Sequence, residues 1–137
     1  MRQVINALII NGNKILLFRK NRVWILPGGK PIEGESHLET LSREFREEAS
    51  GAEIKVEDFY GSFRGISPCK RDVVESKVYY TQLKNPSAIL VPSNEIMEIR
   101  FFKPYDALAH NISEITDSLI RKLIERRIIL QNAVIYR

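Results

Sequence analysis

Residues 36–51, SHLETLSREFREEASG, constrain this chain more than any other stretch, because they set Glu44, Glu47 and Glu48 close together in a chain of net charge +4. Ser36 and Glu39 have the spacing of a capping box, the serine oxygen accepting from the Glu39 amide and the glutamate accepting from the Ser36 amide. The pattern predicts a helix over 37–49, with Gly51 supplying its C-terminal stop. At about 100° per residue, Leu38, Leu41, Phe45 and Ala49 share one arc and are expected to pack on a sheet. Glu44, Glu47 and Glu48 share the neighbouring arc, and like charges at that spacing cost an isolated helix about 0.2–0.5 kcal/mol per pair. Arg43 and Arg46 relieve this only on the flanks. Either the cluster is a solvated face, or it holds a divalent cation. Magnesium takes hard carboxylate oxygens and keeps water and phosphate as its other ligands.

The segment feeding the helix favours a site. WILPGGKPIEGES places Gly28 and Gly29 after a short strand over 24–26, then Gly34 and Glu35 just before the helix. Glycines let the backbone turn tightly and present its amides and carbonyls to a ligand. Glu35 stands where it could accept from Arg43 and fasten the loop to the helix. A plain strand-to-helix turn explains the glycines but not their coupling to Arg43 and three glutamates.

Elsewhere the chain alternates strands and helices. Residues 4–10 and 14–19 are rich in branched apolar side chains and flank Asn11-Gly12-Asn13, a hairpin signal. Residues 53–64 and 72–83 predict two longer strands joined by a loop over 66–71, and 99–103 predicts another short one. Ile112, Ile115, Leu119, Leu123 and Ile124 recur at helical spacing, which predicts a helix over 112–128 with Asn111 and Glu114 at its start. Strands bracketed by two amphipathic helices imply an α/β fold, a sheet covered on both faces. With 137 residues, 44% hydrophobic and 28% charged, the expectation is one domain over 1–137 with one real core.

Taken together, Gly29, Glu35 and Arg43-Glu44-Phe45-Arg46-Glu47-Glu48 resemble the Nudix box, G-x5-E-x7-R-E-U-x-E-E-x-G-U with U bulky and apolar. Every specified position from Gly29 to Glu48 agrees, and residues 24–29 resemble the usual lead-in. The departure is at the end, where Ser50 stands in the glycine place and Gly51 follows. The resemblance implies a MutT-like α/β/α sandwich around a mixed β-sheet, and hydrolysis of a nucleoside diphosphate linked to another group, with Mg2+ or Mn2+. By position it gives metal-holding roles to the Gly29 carbonyl, Glu44, Glu47 and Glu48, and an orienting role to Arg43 and Glu35. Glu44 is the carboxylate chosen to stand nearest the attacking water. Some members add a glutamate from a later loop, for which Glu95 is the first candidate and Glu98 the second. Pro68, 16 residues beyond Ala52, stands where ADP-ribose hydrolases of the family tend to have proline, while a compact chain with little beyond the box looks equally like members that hydrolyse nucleoside triphosphates. The other reading is a silent Nudix-like domain that binds nucleotide or RNA as a regulator.

The remaining features exclude more than they add. The positive residues are scattered in small groups (Arg19, Lys20, Arg22; Lys70, Arg71; Arg121, Lys122, Arg126, Arg127) with no long basic run, which suits a phosphorylated small molecule as well as nucleic acid, so charge alone does not choose. No apolar run approaches the roughly 20 residues of a membrane helix, and the start reads as a first strand rather than a signal peptide. A lone Cys69 forms no internal disulfide, so a reducing cytoplasm is the expected setting. His37 is expected on the surface of the first helical turn, and His110 in a connection. Tyr60, Phe63, Tyr79, Tyr80 and Phe101 are expected to fill the core. The apolar stretch over 128–136 is expected to pack on the domain or against a second subunit.

Overall fold

A computed structural model of the protein describes residues 1–126. Strand β1 (Arg2–Asn11) turns through Gly12, at φ +65, into β2 (Lys14–Lys20), which pairs with the short β3 (Val23–Ile25). β4 is only Gly28–Gly29, and helix α1 (His37–Glu48) follows it. β5 (Ile54–Ile66), β6 (Val73–Leu83) and β7 (Ile96–Phe102) come next, then α2 (Pro104–Leu108) and α3 (Glu114–Glu125). The seven strands form one mixed sheet in the order β3-β2-β1-β6-β5, with β4 on β1 and β7 on β2. β1 and β6 run parallel and the other pairs antiparallel.

Alternation along the strands decides which helix each face receives. On one side Ile5, Ala7, Ile9, Leu16 and Phe18 meet Leu41, Phe45 and Ala49 of α1. On the other, Leu8, Ile15, Leu17, Trp24 and Val78 meet Ile115, Leu119, Ile120 and Leu123 of α3. β2 buries four consecutive residues, Ile15 to Phe18, because it is covered on both faces. The result is an α/β fold, helix on sheet on helix. Among the described residues no helix is long and apolar enough to cross a membrane.

Several details differ from the sequence expectation. Leu38 is 50% exposed, and α1 buries Thr40 instead. At this end of α1 the contacts are made by His37, on the Tyr79 hydroxyl, and by Thr40, on the Glu35 carboxylate, and Leu38 is left to solvent. β7 starts at Ile96, earlier than expected. α2 spans too few residues to carry a period. α3 is capped by Ser113, whose Oγ accepts from the Thr116 amide at 3.2 Å, while Asn111 donates to the Arg22 carbonyl. Ile112 lies before the helix, bridged to Trp24. Of the five expected core aromatics Phe63 is buried, but Tyr60, Tyr79, Tyr80 and Phe101 are half-buried on the cluster margins. His37 turns to the sheet, its Nδ1 2.7 Å from the Tyr79 hydroxyl. His110 packs on the Trp24 and Phe102 rings beside α2. The stretch over 128–136 lies outside the described residues.

Candidate active site

The glycine pair is held in place by the sheet. Gly28 and Gly29 pair with Asn6 and Ile5 of β1. The Asn6 amide donates to the Leu26 and Pro27 carbonyls and accepts from Ser76 Oγ at 2.6 Å, so one half-buried side chain clips the loop to two strands. Gly28 sits at φ +140, and a Cβ there would lie 2.0 Å from the Ile5 carbonyl oxygen, so a side chain is excluded sterically. At Gly29 a Cβ would meet the Glu44 carboxylate at 2.5 Å. A side chain at Gly29 would displace that carboxylate, and the bare α-carbon leaves Glu44 its place.

Arg43 organises the next layer. Its Nε and Nη2 donate to Glu35 at 2.6 and 3.0 Å, Nη2 also reaches the Lys30 carbonyl, and Nη1 donates to Glu44 at 2.8 Å and Glu47 at 3.2 Å. Glu35 further accepts from the Ile32 amide and the Thr40 hydroxyl. Foremost among the causes, these Arg43 hydrogen bonds hold its carboxyl down at about 2. The predicted loop-to-helix fastening is present, and it extends directly to two of the three glutamates.

Glu48 is the exception. Its Oε1 is buried without a hydrogen-bond partner. Burial, and then the negative charge of Glu44, push its carboxyl up to about 8, against smaller opposing pulls from the Gly28 backbone and Lys20. A buried carboxylate oxygen without a donor costs free energy, and a cation is the partner that chemistry supplies. Among the described residues no three carboxylate, imidazole or thiol groups converge into a ready-made metal cage. The reason is visible: Arg43 draws Glu44 and Glu47 toward itself. A magnesium ion needs only one or two carboxylates beside water and phosphate, and the donor set of Glu48, Glu44, Glu47 and the Gly29 backbone fits that demand.

The C-terminus of α1 resolves the anomaly of Ser50. The helix ends at Glu48, Ser50 adopts the left-handed φ of +48 that glycine usually takes, and the Gly51 amide donates back to the Arg46 carbonyl at 2.8 Å. The second bond of such a cap is taken over by Ser93. Its hydroxyl accepts from the Ser50 amide at 2.9 Å and donates to the Glu47 carbonyl, and its own amide donates to the Glu48 carbonyl. That clamp ties the loop carrying Asn94 and Glu95 to the turn carrying Glu47 and Glu48.

Gly29, Glu44, Glu47, Glu48 and Glu95 line one cleft of about 1300 Å³. Its walls are Val4, Leu26, Val74 and Ile115; Arg22, Lys30 and Lys70 lie along it, with Pro68 and Cys69 in the same loop as Lys70. Glu95 pairs with Lys20 at 2.7 Å. Glu98, the second candidate, instead pairs with Arg19 and Arg100 and is not among the cleft-lining residues. Lys20, Asn6, Ser76 and Ser93 were not singled out as site residues. Asn6 had a signal, a lone amide inside the apolar run VINALII, whereas Ser93 had none.

Known proteins agree with this architecture. A family model of the NUDIX domain matches residues 1–123. A 50-residue stretch is 40% identical to the uncharacterized Nudix hydrolase YvcI of Bacillus subtilis, covering 35% of this chain and 32% of that protein, so the match spans about a third of that relative. Among solved structures, the MutT protein of Methanosarcina mazei superposes with a TM-score of 0.75 at 21% identity, over 92% of this chain and 94% of that one. The ORF135 protein of E. coli gives 0.73 at 22%, over 93% and 91%. A UDP-X diphosphatase gives 0.72 at 25%, over 92% of this chain and 64% of that chain. With the family model matching residues 1–123 of 137, the chain belongs to the NUDIX domain family.

Proposed function

We propose that the protein, working as a single domain, is a divalent-metal-dependent pyrophosphohydrolase that cleaves the diphosphate bond of a nucleoside diphosphate linked to another group. The observation that carries this reading is the buried, unpartnered oxygen of Glu48, a residue that lines the same cleft as Glu44, Glu47 and Gly29. Similarity to a UDP-X diphosphatase supports a nucleoside diphosphate with a variable second group.

In this reading Glu44, Glu47, Glu48 and the Gly29 carbonyl hold the magnesium or manganese. Bound there, the ion neutralises phosphate oxygens and lowers the pKa of water. Arg43 and Glu35 fix the angle between loop and helix, so the glutamates stay aimed at the cleft. Glu44, pressed against Gly29, takes the proton of the water that attacks phosphorus. Glu95, kept below the usual carboxylate range by Lys20, is a second ionised acceptor lining the same cleft. The apolar walls receive the nucleoside and exclude water from it.

The test is a panel of nucleoside triphosphates, nucleotide sugars and ADP-ribose, incubated with and without magnesium, with products identified by mass. Magnesium-dependent release of a nucleoside monophosphate or of diphosphate fragments is expected. Full activity in Glu44→Gln and Glu48→Gln, or turnover unaffected by chelator, would remove the assigned site.

A further inference from the structure

The ion pair between Lys20 and Glu95 is placed oddly for a structural strut. Glu95 is 74% exposed and contributes one oxygen, a partnership that adds little stability. Lys20 nevertheless lies inside the cleft, near enough to Glu48 for its charge to pull on that carboxyl. Its direction is set by the backbone. The pairing of β2 with β7 shifts register between Arg19 and Lys20, and such an irregularity re-aims a side chain. Arg19 is thereby left on Glu98 and the Trp24 ring, while Lys20 goes to the site. Glu95 is fixed too, between the left-handed Asn94 and the Ser93 clamp on α1. Arg2, another cation of the same cleft, is consumed by a two-point bridge to Asp72.

We propose that Lys20 binds the phosphate chain of the substrate, and that Glu95 holds its ammonium group at the cleft until phosphate oxygens displace the carboxylate. This rests on the pyrophosphohydrolase reading above. A phosphate oxygen offers the ammonium a stronger, charge-assisted acceptor than one exposed carboxylate. The exchange moves no proton: Lys20 stays charged and changes partner, and Glu95 is left in the cleft with its lone pairs free. Substrate itself thus unmasks the second acceptor.

The test uses methylenediphosphonate, which carries the charges of a diphosphate but has no hydrolysable bridge, titrated calorimetrically in magnesium. Steady-state kinetics follow on whichever nucleotide the wild type turns over. Lys20→Met is expected to weaken the probe about tenfold or more and to raise KM more than it lowers kcat, since one charge-assisted contact is lost. Lys20→Arg should restore most of both, because the positive charge returns. Glu95→Gln should bind the probe as tightly as wild type or tighter, since it removes the competing carboxylate, while kcat falls. Unchanged probe binding in Lys20→Met, or equal weakening in Lys20→Met and Glu95→Gln, would overturn the proposal by reducing the pair to a strut. A wild type that neither binds the probe nor turns over any nucleotide would reject the pyrophosphohydrolase reading instead.

Discussion

The two halves of α1 are built to opposite standards. Toward its start the polar groups are paired: Ser36 and Glu39 complete the capping box, Thr40 is bonded twice, and Arg43 satisfies Glu35. In the second half Glu48 keeps a buried oxygen unpaired, with Glu44 and Glu47 beside it. One amphipathic face serves both halves, since Leu41 and Phe45 pack on the same sheet. The difference therefore lies in the polar side chains, and it separates residues that hold the helix from residues held by it. Concentrated, unsatisfied negative charge survives only where neighbouring structure is stable enough to impose it.

The comparison breaks most sharply at Glu48. Glu48→Gln should cost hydrolysis on the order of a thousandfold, the scale of several kcal/mol of charge stabilisation lost from a barrier. The metal-free variant should melt no lower than wild type, because a buried carboxyl that folding forces to take up a proton is replaced by an amide that is already neutral. Steady-state rates and thermal melts in chelator check both halves of that statement. Arg43→Lys should lower stability as well as rate. It keeps the charge but loses the fork that bridges Glu35 to Glu44, and should cost about 2 kcal/mol of stability by denaturant titration.

A smaller effect comes from pH. Glu48 rises from its ordinary 4.5 to about 8 on folding, so between these values the folded metal-free protein binds a proton that the unfolded chain has released. Stability should fall as pH climbs through that window and level off above it. Magnesium, by replacing the proton, should raise the melting temperature more at pH 9 than at pH 6. Smallest is Ser50→Gly, which relieves a left-handed serine at the helix end and should add about 0.5–1 kcal/mol without changing the rate.

What the sequence made legible was local. The capping box, the amphipathic arc from Leu41 to Ala49 and the reach from Glu35 to Arg43 all lie within a few turns of chain, where spacing determines geometry. The strands were legible in outline because β2 and β1 carry dense branched apolar residues. The misses share a cause. Leu38 obeys the helical period but is left to solvent, and the Asn111 cap gave way to Ser113, two residues on, with the same chemistry. Ser93 meets the end of α1 across 43 positions, and Asn6 meets Ser76 across 70. No spacing rule reports such pairs. Glu95 was reached through resemblance, but its pairing with Lys20 depends on a register shift between two strands far apart in the chain.

The central claim is that the second half of α1 is incomplete without a divalent cation. Calorimetric titration of magnesium into wild type and Glu48→Gln, at pH 7 in buffers of different ionisation enthalpy, tests it directly. The account predicts saturable binding by wild type with release of about one proton, since the raised Glu48 carboxyl must ionise to accept the metal. In Glu48→Gln it predicts weaker binding without that proton. Equal affinity and equal proton release in the two proteins would contradict it.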